Sequence, residues 1–141
     1  MARCERTAGD LGIADRVVFA GMKQNHDIPA YLRASAILIN LIDRHEDNGS
    51  MKLLEYMSSG GAVIVNSPSA FGFPLTNRVN CLLVNAAEPE EIAGAVETLL
   101  GDEGLRRTIG ENARAFVLSR FSWRRTAEVL LSVIEEARAH A

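Results

Sequence analysis

The stretch of sequence that decides the fold is Asp47-Asn48-Gly49-Ser50-Met51-Lys52-Leu53-Leu54-Glu55-Tyr56-Met57-Ser58-Ser59-Gly60. An apolar run, residues 36–42, precedes it, and a second apolar run, Ala62–Val65, follows it. The order is that of a strand, a loop of small residues, a helix that ends at a glycine, and another strand. The pattern predicts a βαβ unit.

The loop before the predicted helix is suited to an anion. Asn48, Gly49 and Ser50 allow the backbone to come close to a ligand. The helix that begins there offers unpaired N–H groups and the positive end of its dipole. These features predict a phosphate-binding site.

Two carboxylates flank this loop. Asp47 lies at its start, and Glu55 lies on the predicted helix eight residues later. Because helical side chains lean toward the N-terminus, Glu55 points back toward the loop, and both acids can face one ligand. Their natural partners are hydroxyl groups on either side of a phosphate, as in a sugar nucleotide. The simpler alternative is that Asp47 caps the helix and Glu55 is a solvated acid.

The passage resembles the signature of the group 1 retaining glycosyltransferases, which have the GT-B fold. That signature is Glu, seven residues, Glu, an aromatic residue or Ala, Met, small residues, Gly and a short Val/Ile strand. The matching residues are Glu55-Tyr56-Met57-Ser58-Ser59-Gly60 and Ala62–Val65. Asp47 stands where the family has Glu, and Glu46 is the alternative first acid if the loop is shifted by one residue.

The resemblance extends beyond this motif to residues 11–21, 29–36, 99–106, 110–114 and 121–123. It implies that residues 1–141 are a single, partial C-terminal domain that binds the nucleotide-sugar donor. The expected missing parts are the N-terminal acceptor domain, the first two strands of the C-terminal domain, and a basic pair that neutralises the departing diphosphate. Without those strands, we expect the sheet to be incomplete and open to oligomer formation.

The resemblance also implies roles for individual residues. Glu55 would bind the ribose hydroxyls of the donor, and Asp47 the hydroxyls of its sugar. Backbone N–H groups for the sugar and diphosphate would come from Asn48, Gly49, Ser50 and Met51. Met22 and Lys23 would lie near the nucleobase, and Lys52 and Arg78 are candidate cations for the phosphates. No metal and no cofactor beyond the donor itself are implied.

The remaining elements predict an α/β fold, a Rossmann-like three-layer parallel sheet with C-terminal helices. About four strands are expected, at residues 17–20, 36–42, 62–65 and 81–84. Helices are expected at about residues 29–35, after residue 50, and from Pro89, Asp102 and Ser122 onward, with a loop and one short helical turn within residues 66–80. The last helix should bury Ala127, Leu130, Leu131, Ile134 and Ala137, and Trp123 should pack at its start.

The 141-residue chain is long enough for one domain. Its 15 basic and 18 acidic residues give a net charge of −3, which offers no broad positive surface for nucleic acid or an anionic membrane. Cys4 and Cys81 are too few for a disulfide framework, and no apolar run approaches the ~20 residues of a transmembrane helix. We therefore expect a soluble, cytoplasmic protein.

The expected function is that of the donor-binding half of a hexosyltransferase acting on a glycan, lipid or small-molecule acceptor, inactive as this fragment alone. One alternative is a non-catalytic nucleotide-sugar-binding or regulatory subunit that works with a separate acceptor-domain chain. A receiver-like domain is disfavoured, because it needs acids after its first strand, where this chain has Gly21, Met22 and Lys23. A metal site formed by Asp43, His45, Glu46 and Asp47 is disfavoured because consecutive residues point in different directions.

Overall fold

The computed structural model describes residues 2–42, 51–66, 69–70, 73–85 and 88–140. Its helices are α1 (Ala2–Asp10), α2 (Ile28–Ala34), α3 (Met51–Ser59), α4 (Pro89–Gly101), α5 (Glu103–Arg120) and α6 (Trp123–Ala139), with a 3-10 turn at Ala14–Arg16. Its strands are β1 (Ile37–Asn40), β2 (Ala62–Val65), β3 (Ser69–Ala70), β4 (Phe73–Pro74) and β5 (Leu82–Leu83).

The predicted βαβ unit is confirmed. Strands β1 and β2 are parallel, with Ile37 opposite Ala62 and Asn40 opposite Val65, and helix α3 crosses between them. Strand β5 pairs in parallel with the other edge of β2, so the sheet order is β1-β2-β5. The central strand β2 is therefore enclosed on both edges.

Helices cover both faces of this sheet. On one face, Leu38 and alternate residues of β2 pack against α3 and against Ala113 and Val117 of α5. On the other face, Ala62 and Ile64 pack against Ala95 and Leu99 of α4 and Ile109 of α5. This arrangement, a sheet between two layers of helices, is the predicted three-layer α/β fold. Strand β2 is apolar on both faces because both faces are buried.

Helix α5 approaches the start of β2 through glycines. A Cβ atom on Gly110 would lie 2.0 Å from the carbonyl oxygen of Gly60. Gly60 itself ends α3 with a φ of 82°, in the left-handed region where glycine carries no Cβ penalty. The glycine stop predicted from the sequence thus also allows two backbones to come into contact.

The predicted helix starts in the second half of the chain are confirmed. The Asp102 carboxylate accepts a hydrogen bond of 2.8 Å from the backbone N–H of Leu105, at the start of α5. The Ser122 hydroxyl accepts one from the backbone N–H of Arg125 at 3.2 Å, at the start of α6. Pro89 begins α4, where its missing N–H costs nothing.

The prediction of a strand at residues 17–20 was wrong. Val17 is extended, with φ −112° and ψ 122°, but the segment pairs with no strand in the described part of the chain. Val18 is 88% exposed. A strand needs a neighbour for its N–H and C=O groups, and β-forming residues alone do not supply one. Within the residues that the structure describes, the sheet therefore has three parallel strands rather than four.

The predicted burial of α6 was also wrong. Every side chain of α6 is exposed, including Leu130, Leu131 and Ile134, and Trp123 is 91% exposed. Ala127 and Ala137 are exposed as well. The helical apolar pattern is present, but within the described ranges nothing covers it. Amphipathic spacing specifies an apolar side and leaves its partner undetermined.

The loop after β2 differs from the expected short helical turn. Instead, β3 and β4 form an antiparallel pair, with Ser69 opposite Pro74 and Ala70 opposite Phe73. Pro74 has no N–H to donate, which is tolerated in an edge strand and costly within a helix. Among the helices described, none is long and apolar enough to span a membrane.

Candidate functional site

The first turn of α3 lies at the carboxyl edge of the sheet. Strands β1 and β2 end at Asn40 and Val65, and α3 runs back from this edge to the start of β2. In open parallel sheets, ligands bind outside the carboxyl ends of the strands. The predicted loop residues Asp47, Asn48, Gly49 and Ser50, and the alternative acid Glu46, lie outside the described residues.

Glu55 is on the exposed side of α3, while Leu53 and Met57 hold the helix in the core with 1% and 0% exposure. No hydrogen bond or ion pair engages its carboxylate within the described part of the chain. Burial raises the pKa of the neighbouring Tyr56, and the negative charge of Glu55 raises it further. The Glu55 carboxylate therefore projects from a helix anchored in the core and is available to a ligand.

A cavity of about 380 Å³ lies between α2 and α3, and Glu55 is on its wall. Ile28, Pro29 and Leu32 of α2 provide an apolar side. The other lining residues are polar or charged: Asn25, Arg33, Glu55, Ser58, Ser59 and Arg114. A ligand there would meet a carboxylate able to accept from hydroxyls, guanidinium groups suited to negative charge, and an apolar surface for a ring.

Arg114 of α5 connects the end of α3 to this cavity. Its guanidinium donates to the backbone carbonyl of Ser58, one of the last carbonyls of α3, which lack intrahelical partners. The positive charge also lies at the negative end of the helix dipole. Arg114 thus stabilises the helix that carries Glu55.

Two further predicted residues, Met22 and Lys23, do not line the cavity. The side chain of Met22 is 99% exposed, and the Lys23 ammonium lies 5.5 Å from the centroid of the Tyr31 ring in a cation–π contact. The turn at residues 25–27 follows them and leads into α2, so Lys23 is tied to the helix that forms one cavity wall.

The other predicted cations and the first residue of α3 are exposed. Met51 and Lys52 are in the first turn of α3, at the carboxyl edge, and Met51 is 66% exposed. Arg78, with a φ of 60°, lies in the loop before β5 and does not line the cavity. The structure thus brings Met51, Lys52 and Glu55 onto one helix and leaves Arg78 away from the cavity.

Sequence reasoning missed the residues that reach the site from distant parts of the chain. Neither Arg33 nor Arg114 has a role predicted from the sequence, because nothing local shows that α2 and α5 both approach α3. Asn66 was read as part of a loop. Its amide makes two hydrogen bonds of 2.8 Å with the backbone of Ile42, one through Oδ1 and one through Nδ2.

Two other groups bear on possible chemistry. Cys81 is fully buried, and burial raises the pKa of its thiol to about 12, so the thiol is neutral at neutral pH. The described ranges contain no group of three side chains that could hold a metal ion. Asp43, His45, Glu46 and Asp47, which were weighed as metal ligands, lie outside those ranges.

The parallel sheet with helices on both faces places the chain among the Rossmann-like α/β proteins, in the form seen in the C-terminal domains of GT-B glycosyltransferases. A family model described as "Glycosyl transferases group 1" matches residues 2–116. The chain belongs to this glycosyltransferase family.

Similar proteins place the chain within longer ones. It is 30% identical to the D-inositol 3-phosphate glycosyltransferase of Salinispora arenicola over 94% of its own length, which is 29% of that relative. Among solved structures, the C-terminal domain of the group 1 glycosyltransferase LpcC from Francisella tularensis has a TM-score of 0.75 and 24% identity, with 86% of this chain and 62% of that domain covered.

A second solved structure contains a nucleotide. Anabaena Alr3699/HepE in complex with UDP has a TM-score of 0.80 and 24% identity, over 93% of this chain and 36% of that protein. The same protein is also known in complex with UDP-glucose. The likeness to these structures shows the shared fold.

Proposed function

We propose that this chain is the donor-binding part of a retaining glycosyltransferase that moves a hexosyl unit from a nucleoside-diphosphate sugar to a glycan, lipid or small-molecule acceptor. The observation that carries the proposal is the position of Glu55. Its carboxylate is free of described protein partners, is mounted on a helix anchored in the core, and lies on the wall of the cavity between α2 and α3.

The ligands of the HepE structures support the class of donor, since UDP and UDP-glucose bind a protein of the same fold. In the proposal, Glu55 accepts hydrogen bonds from the ribose hydroxyls and Asp47 from the sugar hydroxyls. The backbone N–H groups of Asn48, Gly49, Ser50 and Met51 bind the diphosphate at the helix N-terminus, with Lys52 as the nearby cation. Met22 and Lys23 lie toward the base.

The proposed chemistry is electrostatic. A leaving nucleoside diphosphate gains negative charge as the glycosidic bond breaks, and an oxocarbenium-like sugar gains positive charge. Fixed dipoles and charges aimed at those atoms lower the barrier without a side-chain nucleophile. The proposal assigns no metal or additional cofactor. The acceptor site belongs to a separate N-terminal domain, so this chain alone should bind donor and not turn it over.

Isothermal titration calorimetry of the chain with UDP, GDP, ADP and their glucose conjugates tests the proposal. We expect at least one pair to bind at millimolar affinity or better. Replacing Glu55 with alanine should weaken binding of that pair by ~1–3 kcal/mol, through lost charge-assisted hydrogen bonds.

The matched control is Glu97→Ala, since Glu97 is an exposed acid on α4, which packs against the other face of the sheet. Its affinity should equal that of the wild type. Folded protein that binds none of these ligands would overturn the proposal. Equal binding by wild type and Glu55→Ala would place the site elsewhere.

A further inference from the structure

A second cavity, of about 440 Å³, lies at the amino edge of the sheet. Its wall includes Ala36, just before β1, and Gly61 and Ala62, where β2 begins. Binding sites for small molecules typically have volumes of roughly 300–1,000 Å³. The cavity therefore has room for a small ligand at the edge of the sheet opposite to the one where the donor phosphates are proposed to bind.

Three arginines from two helices line this second cavity. Arg33 is in the last turn of α2, and Arg106 and Arg107 are near the start of α5. Among the described lining residues, Glu103 is the one carboxylate. The cavity is therefore locally positive in a chain whose net charge is −3. A concave surface of one sign concentrates ligands of the opposite charge.

Two of these arginines have unpaired guanidinium groups. Arg33 and Arg107 make no hydrogen bond and no ion pair with any residue that the structure describes. Glu103 precedes Arg107 by four positions, a spacing that favours ion pairs on a helix, yet these two side chains are not paired. Arg106 is half-buried, and its Nη1 donates to the Leu99 carbonyl at 2.6 Å, which holds its guanidinium beside the cavity.

The remaining lining residues favour an anion over a ring. The hydroxyl groups of Ser35 and Ser59 already donate to the carbonyls of Tyr31 and Tyr56, at 2.9 and 2.7 Å. The guanidinium groups are thus the main donors open to a ligand, and no aromatic side chain is among the described lining residues. A guanidinium fork matches the oxygens of a phosphate through two parallel N–H···O bonds.

We propose that the cavity lined by Arg33, Arg106 and Arg107 is a second ligand site, which binds the phosphate group of inorganic phosphate or of a sugar phosphate. Arg33 and Ser59 also line the cavity that contains Glu55, so the two cavities share a wall. Neither Glu55 nor the first turn of α3 lines the second cavity. The inference therefore goes beyond donor binding and does not depend on it.

Amide chemical shifts of the isotope-labelled chain, followed by NMR during titration with inorganic phosphate, glucose 6-phosphate and glucose, test the site. Both phosphates should shift the amides of Ser35, Gly60 and Gly61 with a Kd of about 1 mM or tighter, and glucose should shift none of them. The phosphate that binds more tightly identifies the source of the group. Shifts at residues 51–55 would report the proposed donor site and should be the same in Arg107→Ala as in wild type.

Substitutions in the cavity should change this affinity in both directions. Arg107→Ala and Arg33→Ala should each weaken phosphate binding about threefold to tenfold, and Arg107→Lys, which keeps the charge without the fork, should weaken it less. Glu103→Gln removes the lining carboxylate and should tighten binding about twofold. Arg124→Ala is the matched control, because it removes the same charge from an exposed position of α6 that does not line the cavity, and it should bind phosphate like wild type.

Four results would overturn the inference. Folded protein whose Gly60 and Gly61 amides do not move at about 10 mM phosphate has no such site. Equal weakening by Arg107→Ala and Arg124→Ala would reduce the effect to net charge. Equal shifts with glucose would remove the role of the phosphate group, and shifts confined to residues 51–55 would leave the donor site alone. Phosphate binding at Gly60 and Gly61 without any binding of UDP would contradict the proposed function and support this inference.

Discussion

Strand β2 and residues 17–20 are two apolar runs of similar composition in opposite surroundings. β2 reads Ala-Val-Ile-Val, has 0–2% exposure, and pairs with a strand on each edge. Residues 17–20 read Val-Val-Phe-Ala and form no described strand, and Val18 and Phe19 are 88% and 38% exposed. The difference lies in the neighbours, since β-forming residues become a strand only where other elements take up their hydrogen bonds and cover their faces.

The outer edge of β1 resembles residues 17–20 in that no described strand pairs with it. Strand β1 pairs with β2 on one side and with no strand of the described residues on the other, and Ile39 is 43% exposed. An open edge and an unpaired apolar run in one molecule suit the expectation of an incomplete sheet, with oligomer formation or a larger enzyme as the ways to complete it. That expectation remains a prediction.

The largest effect on stability should come from adding a side chain to Gly110, where α5 contacts the backbone just before β2. Gly110→Ala would place a methyl group 2.0 Å from the Gly60 carbonyl oxygen. Neither the Cβ atom nor the backbone oxygen can move away by a side-chain rotation. We expect a loss of about 3 kcal/mol or more in the free energy of unfolding, measured by urea denaturation.

The same replacement at Gly94 is the control for Gly110. Gly94 is inside α4 with nothing within 4 Å of its Cβ position, so Gly94→Ala should stabilise the protein by about 0.5–1 kcal/mol. Stabilisation of similar size in both variants would show that helix propensity, and not the contact with Gly60, decides the result.

A pair of valines compares the two runs directly. Val63 of β2 is fully buried, so Val63→Ala should cost about 2–3 kcal/mol through lost burial and the cavity left behind. Val18→Ala makes the same change at 88% exposure and should stay within about 0.5 kcal/mol. A cost at Val18 close to that at Val63 would mean that residues 17–20 are covered in solution.

A smaller effect on stability is expected from replacing Asn40, whose amide lies on the buried face of β1. Asn40 is 1% exposed, and neither polar atom of its side chain has a hydrogen-bond partner in the described part of the chain. Leucine has the same branched shape without the desolvation cost, so Asn40→Leu should raise the free energy of unfolding by about 1 kcal/mol.

Asn80 provides the contrast for Asn40. It is 6% exposed, but its Oδ1 accepts from the Thr76 N–H at 2.8 Å. Asn80→Leu should therefore destabilise the protein by about 0.5–1.5 kcal/mol, because the Thr76 N–H loses this hydrogen bond. The same sign for both leucine variants, read from thermal and urea unfolding, would contradict the account of Asn40.

The features that the sequence predicted well are those decided within a few residues. The cap at Asp102, the glycine stop at Gly60 and the proline start at Pro89 depend on local backbone chemistry, and the structure confirms each. The βαβ unit follows from the apolar runs on both sides of α3. The direction of Glu55 away from Leu53 and Met57 also follows from helical spacing, while its role stays a prediction.

The features that the sequence did not predict depend on contacts between distant segments. Residues 17–20 and the apolar side of α6 have the right local patterns and lack described partners. The hydrogen bonds of Asn66 with Ile42 span 24 positions, and no local signal marks them. The cavity needs α2 beside α3, and Arg114 of α5 meets Ser58 across 56 positions. Such contacts depend on register and crossing geometry rather than on composition.

Hydrogen–deuterium exchange with and without saturating UDP tests the central claim, that this chain binds a nucleotide at the N-terminal part of α3. In the free protein, β2 should exchange slowest and residues 17–20 among the fastest. UDP should slow exchange in residues 51–55, whose first amides lack intrahelical partners, and leave α4 unchanged. UDP that binds while slowing exchange only in α4 or α6 would contradict the claim.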